Sequence, residues 1–159
     1  MQRIVHPIEP VFDAHSHTLI LGSFPSVKSR EGQFFYHHPQ NRFWRVLSEV
    51  LEEPLPILIE EKRQLLLRRG IALWDVVGSC EIRGSDDASI RNAQPNDLSR
   101  ILTYAPIARI FCNGKTAHRL FEKLQQPQTG RSAICLPSTS PANAQWALPR
   151  LCEAWQVIR

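Results

Sequence analysis

Thr18-Leu19-Ile20-Leu21-Gly22-Ser23-Phe24-Pro25-Ser26 is the stretch on which the fold turns. Thr18 to Leu21 is a short apolar run closed by Gly22, the pattern of a strand buried on both faces. Ile71 to Val77, Ala108 to Cys112 and Ser132 to Leu136 repeat it. Between these runs, apolar residues fall at helical spacing. Phe43, Trp44, Leu47, Val50 and Leu51 predict a helix over Asn41 to Leu51. Leu58, Leu65 and Leu66 predict another over Ile57 to Arg69, with Gly70 as its stop. Further helices are expected over Pro95 to Tyr104, from Lys115 to near Gln125, and over Ala142 to Trp155. Gly78 to Gln94 is polar and rich in Gly, Ser and Asp, and reads as a long functional loop.

Short buried strands alternating with helices predict an α/β fold, a parallel sheet covered on both faces. Ligands of such sheets bind at the carboxyl ends of the strands. That singles out Gly22 to Ser26, Asp75 to Ser79, Asn113 to Lys115 and Pro137 to Asn143, all rich in small, polar or Pro residues.

The chain has 159 residues, one domain's worth, and the whole of 1–159 is expected to fold as a single domain. Hydrophobic residues are 43% and charged residues 21%, which excludes wholesale disorder. No apolar run approaches the roughly 18 residues of a membrane span. Met1 to Phe12 lacks the apolar core of a signal peptide, so the cytoplasm is the expected compartment. Lys and Arg number 19 against 15 Asp and Glu, for a net charge of +4. Most of the cations are Arg, which suits bidentate phosphate contacts. Cys80, Cys112, Cys135 and Cys152 form no C-x-x-C pair and are expected to be buried, inert thiols. Asp13-x-His15-x-His17 has metal-like spacing but precedes the first strand, and reads as a solvated segment. Asn113-Gly114-Lys115-Thr116 ends like a P-loop but lacks the upstream Gly, since Arg109 stands there.

Three segments carry the chemistry. In Gly22 to Ser26, Gly22 lets a ligand approach the backbone and Phe24 offers a ring face; a plain strand-to-turn reading with a core Phe also fits. In Phe34-Phe35-Tyr36-His37-His38-Pro39-Gln40-Asn41-Arg42-Phe43-Trp44, Asn41 either caps the coming helix or holds a water or ligand. In Leu136-Pro137-Ser138-Thr139-Ser140-Pro141-Ala142-Asn143, hydroxyls and the amides opening a helix at Ala142 would make an anion site, or an ordinary capped start.

Taken together with Leu73-Trp74-Asp75-Val76-Val77 and Phe111-Cys112-Asn113-Gly114-Lys115, these segments resemble the uracil-DNA glycosylase superfamily. Within it they are most similar to the hypoxanthine-DNA (deoxyinosine) glycosylases, in the family's order and over roughly residues 17–157. The resemblance implies a three-layer α/β/α fold around a four-stranded parallel sheet. It implies a monofunctional, metal-independent enzyme without cofactor, acting as a monomer on DNA with deaminated bases. Phe24 stands where the better-known uracil enzymes carry Asp or Asn, Ser138 where they carry His or Asn, and Ala142 where they often carry a Leu wedge. The resemblance therefore points away from strong uracil excision. It places the catalytic Asn at Asn41.

That chemistry suits the residues. Breaking an N-glycosidic bond leaves an oxocarbenium-like sugar and a departing base, helped by charge stabilisation and a positioned water. Asn41 would hold that water through its carbonyl oxygen. The base must be flipped out and read along its Watson–Crick edge. Asp75 is the expected reader: it accepts from N1–H of hypoxanthine and repels the adenine lone pair, unless it pairs with Arg83 instead. Phe24 and Tyr36 or Phe35 would stack on the base beside Gly22 and Ser23. Ser26, Ser138, Thr139, Ser140 and Asn143 would meet phosphate with Arg42, Arg45, Arg83, Arg91 and Arg150. Uracil- or mismatch-directed excision, a non-catalytic damaged-DNA binder and a nucleoside hydrolase stay open as alternatives.

Overall fold

The computed structural model describes residues 2–159. The four apolar runs become β2 (Thr18–Gly22), β3 (Ile71–Asp75), β6 (Arg109–Asn113) and β7 (Ile134–Leu136). They form one sheet in the order β3-β2-β6-β7, with every pairing parallel. β2 and β3 are buried at every position, as strands covered on both faces must be. Helices α1 (Val27–Gly32), α2 (Phe43–Leu51), α3 (Ile59–Arg68), α4 (Ser99–Leu102), α5 (Lys115–Leu120), α6 (Gln126–Thr129) and α7 (Leu148–Trp155) complete the α/β/α arrangement. Phe43, Leu47, Val50 and Leu51 put the apolar stripe of α2 into the core, and α2 packs with α7.

Gly78 to Gln94 is not a loop. It forms β4 (Val77–Arg83) and β5 (Asp86–Pro95), an antiparallel hairpin. β1 (Arg3–Val5) adds to it, giving a second sheet in the order β1-β4-β5. Cys80, Ile82 and Ser89 point inward, while Arg83, Asp86 and Ala88 are exposed. Gly84, at φ +59°, makes the turn. Register shifts break the alternation along the hairpin, which is why the run looks like a loop in one dimension. The expected strand Ile71 to Val77 is two strands divided at Val76, whose N–H donates to Gly22 O at 2.8 Å.

Three helices differ from expectation. Pro95 to Tyr104 shrinks to Ser99–Leu102, because Pro95 ends β5. Lys115 to Gln125 passes from α5 into a π-helical turn, Phe121–Gln125. That turn buries Gln125, whose amide donates to Val76 O at 3.0 Å and Asn96 O at 2.8 Å. Asn96 donates in turn to the carbonyls of Asp75 (2.9 Å) and Val77 (3.1 Å), so the backbone leaving β3 is fixed from behind. The last helix begins at Leu148, not Ala142. Ahead of it, Arg42 threads its guanidinium under the chain and donates to the carbonyls of Ser140, Asn143 and Trp146. Carbonyls spent on Arg42 and amides spent on Ser hydroxyls cannot start a helix.

Cys80, Cys112 and Cys152 are buried, but Cys135, on β7, is exposed. Asp13 and Ser16 close a turn, with Ser16 Oγ accepting from Asp13 N–H, and His15 and His17 are exposed.

Candidate active site

The carboxyl ends of β2, β3 and β6 bring Gly22, Asp75 and Asn113 together, and Tyr36 and Asn41 arrive from the segment between α1 and α2. Asp75 is 3% exposed. Its Oδ2 accepts from His6 Nε2 at 2.7 Å. His6 Nδ1 accepts from Ile8 N–H at 3.2 Å, so the ring proton sits on Nε2 and points at Asp75. Phe24, Phe35 and Trp74 wall the imidazole, with Phe24 and Trp74 edge-on. Arg83, the alternative partner, is exposed on the hairpin and forms no ion pair with Asp75.

Asp75 Oδ1 faces the other way. A Cβ on Gly22 would lie 2.5 Å from it and 2.9 Å from the Tyr36 hydroxyl, so only Gly fits there. Tyr36 holds a left-handed backbone, φ +53°, and stacks on Phe43 at 4.1 Å between ring centroids. Its hydroxyl is buried and finds no hydrogen-bond partner, with Asn113 beside it. Burial above all, then the charge of Asp75, holds that hydroxyl far above the usual phenol range. A buried donor without a partner is rare in native structures.

Asn41 sits before α2. Its Oδ1 accepts from Phe43 N–H at 2.9 Å and from Thr139 Oγ1 at 2.9 Å. Both lone pairs of the carbonyl oxygen are therefore in use, and the water expected there has no place. The Nδ2 group is the free end. Thr139 Oγ1 accepts from Asn113 Nδ2 and its N–H donates to Asn113 Oδ1, each at 3.0 Å. Asn113 thus ties Asn41 and Thr139 to the end of β6.

Ser23 and Phe24 follow β2. Ser23 Oγ donates to both carboxylate oxygens of Asp87 on β5, at 2.9 Å each. Burial, followed by the nearby charges of Asp75 and Asp86, pushes the Asp87 carboxyl up to about 6 against the pull of the Ser23 hydroxyl. Phe24 is 6% exposed, with the Arg30 guanidinium over its ring at 5.7 Å. Ser26 caps α1, accepting from Ser29 N–H at 3.2 Å.

The segment after β7 is knitted to itself. Ser138 Oγ accepts from Ser140 N–H, Ser140 Oγ accepts from Ala142 N–H, and Asn143 Nδ2 donates to Ser138 O. With α7 starting at Leu148, no helix N-terminus lies there and the expected anion site at Ala142 does not form. Arg42 is occupied within the chain, as described above. Arg45, Arg83, Arg91 and Arg150 are exposed.

The sequence reading missed His6 and Asp87. Nothing local marks either, because their partners lie 69 and 64 residues away. Asn113 carried a usable signal, its place directly after a strand. Among the described residues, no group of His, Cys, Asp and Glu is arranged to hold a metal ion.

A polar cluster at the carboxyl edge of a four-stranded parallel sheet, with one carboxylate held by a histidine, stands where α/β proteins with open sheets bind their ligands. The model of the family "Uracil DNA glycosylase superfamily" matches residues 9–159. The chain belongs to that superfamily. It is 35% identical over 150 residues to a protein of Methanosarcina acetivorans named hypoxanthine DNA glycosylase, covering 93% of each chain. A protein of the same name from Methanosarcina barkeri is 35% identical over 136 residues, covering 84% of this chain and 85% of its own. A solution NMR structure of a Methanosarcina acetivorans protein, described as a candidate uracil DNA glycosylase, superposes with a TM-score of 0.81 at 31% identity, covering 98% of this chain and 96% of its own. Among the described residues, no helix is long and apolar enough to cross a membrane.

Proposed function

We infer that this protein is a monofunctional DNA glycosylase that excises hypoxanthine from deoxyinosine sites, acting as a single-domain monomer in the cytoplasm. Its similarity to the two Methanosarcina hypoxanthine DNA glycosylases supports the substrate. The observation that carries the reading is the aim of Asp75. His6 occupies Oδ2, and Oδ1 is left toward Gly22 and the unpartnered Tyr36 hydroxyl. Hypoxanthine presents an N1–H donor that a carboxylate oxygen accepts. Adenine presents a lone pair at the same atom and is repelled, a distinction of several kcal/mol in a buried site. Phe24 lies edge-on to the His6 ring that holds Asp75, and the Tyr36 ring rests on Phe43.

Asn41 is the catalytic residue in this reading. With Oδ1 committed to Phe43 and Thr139, its Nδ2 donates to the departing base as negative charge develops on it. Water then adds to the oxocarbenium carbon. Ser138 and Ser140 each accept from a backbone amide, which leaves their O–H groups as donors to phosphate beside the flipped nucleotide. Thr139 and Asn143 hold that segment in place, Ser26 joins as a further hydroxyl at the start of α1, and Arg45, Arg83, Arg91 and Arg150 supply the surface charge.

Asn41→Ala tests the reading. Excision from a deoxyinosine duplex should fall at least about 100-fold, while binding to a duplex with an abasic site stays near wild type. Retained excision would move the catalytic role to another residue.

A further inference from the structure

The second carboxylate of the site has no role in the reading above. We propose that Asp87 is a catalytic acid: as the C1′–N9 bond of a flipped deoxyinosine breaks, its carboxyl proton passes to N7 of the departing purine. This deepens the deoxyinosine reading and rests on it.

The β4–β5 hairpin carries Asp87 to the carboxyl end of β2, where Ser23 meets it. Ser23, which grips both its oxygens, is next in sequence to Gly22, where an added Cβ would meet both Asp75 Oδ1 and the Tyr36 hydroxyl. Asp75 is served by His6, whereas Asp87 has no cationic partner among the described residues. Two carboxylates in one site with unlike surroundings take unlike roles. Asp75 accepts a hydrogen bond, and Asp87 is the carboxyl more readily protonated.

The groups that face Asp87 agree with this. Asp75 on β3 and Asp86 on its own strand oppose its ionisation, and burial opposes it more. The Tyr36 hydroxyl and the Cys80 thiol of β4 lie within its field and are neutral. Arg30 of α1 donates to Gly84 O at 2.8 Å rather than to Asp87. Only the Ser23 hydroxyl favours the charged form. The carboxyl therefore titrates at about 6, close to working pH, where a general acid is most useful.

The step balances. The Asp87 O–H bond breaks and an N7–H bond forms. The electron pair of the C1′–N9 bond leaves with the purine, which departs as neutral hypoxanthine. A water oxygen bonds to C1′, and the proton it sheds restores Asp87 through solvent.

The test is single-turnover excision between pH 5 and 9 from two duplexes. One carries deoxyinosine. The other carries 7-methyldeoxyinosine, whose base already bears positive charge at N7 and needs no proton. Wild-type excision of deoxyinosine should fall about tenfold per pH unit above the carboxyl titration. Asp87→Asn should lose about 100-fold at pH 6 and lose that slope. On 7-methyldeoxyinosine it should stay within about threefold of wild type. Ser23→Ala removes the hydroxyl that favours the charged form, so its falling limb should move to higher pH. Equal losses on both duplexes, or a Ser23→Ala limb that does not move, overturn the acid role and leave the deoxyinosine reading standing. A wild-type protein that releases neither base overturns that reading, and the acid role with it. If Asp87→Asn does not fold, the Ser23→Ala limb decides alone.

Discussion

His6 has to matter if Asp75 is the reader, and a double-mutant cycle can weigh the pair. His6→Ala removes the donor at 2.7 Å and leaves a buried carboxylate without its partner. A hydrogen bond to a charged group contributes about 1.5–3 kcal/mol. The imidazole is neutral by its own hydrogen bonds, so this range applies rather than the roughly 3–5 kcal/mol of a broken buried ion pair. Loss of the ring's edge contacts with Phe24 and Trp74 adds about 1 kcal/mol. His6→Ala should therefore cost about 3 kcal/mol, or roughly 6–12 °C in Tm for a chain of this size. Urea unfolding of wild type, His6→Ala, Asp75→Ala and the double variant gives the coupling. About 2 kcal/mol is expected. A coupling below about 0.5 kcal/mol, the usual scatter of additivity, would refute the claim that His6 holds Asp75. In the same proteins, excision should fall as much in His6→Ala as the aim of Asp75 is lost, with binding to an abasic duplex spared.

Four further outcomes follow from the geometry. Tyr36→Phe deletes a buried donor with no partner, so it should raise stability by about 1 kcal/mol while slowing excision, read by urea unfolding and single-turnover assay. Gly22→Ala drives a Cβ to 2.5 Å from Asp75 Oδ1, and should cost about 1–3 kcal/mol and abolish deoxyinosine excision. Asn41→Asp keeps the oxygen that Phe43 N–H and Thr139 require but loses the Nδ2 donor; excision should fail although the fold is kept, whereas a water-activating role would be improved by the carboxylate. Asp87 titrates at about 6 in the fold, above an ordinary carboxylate, so its neutral form is the one folding favours. The native state binds the extra proton between about pH 4 and 6, stability from this group declines as pH rises through that window, and above it Asp87→Asn should be more stable than wild type by about 2–3 kcal/mol, a gain that vanishes near pH 4 on unfolding curves.

The central sheet was legible because each of its strands is a short apolar run between helical patterns, and β2 and β3 are buried throughout. Gly22 and Asp75 were legible for the same reason, since each ends a strand; Asn113 stands in the same position but is equally suited to a turn before Gly114. The hairpin was not. Its inward residues Cys80, Ile82 and Ser89 are separated by charged and small polar residues, and its register shifts hide the period of two. Because the hairpin carries Asp87, the second carboxylate was hidden with it. β1 is three residues long, too short to show a period, and it brings in His6. The start of α7 was misplaced because Arg42, about 100 residues upstream, takes the carbonyls at 140, 143 and 146 that a helix would need. Asn41 was found by position, but which end of its carboxamide is free depends on Thr139, 98 residues on.

The central claim is excision of hypoxanthine, and it is tested most directly on matched oligonucleotides carrying one deoxyinosine, one deoxyuridine or no lesion. Purified protein is incubated with each in the presence of a chelator, and alkali then cuts any abasic site. The account predicts cleavage at deoxyinosine, unaffected by the chelator, with little or none at deoxyuridine. An intact deoxyinosine strand, or cleavage at deoxyuridine alone, would contradict it.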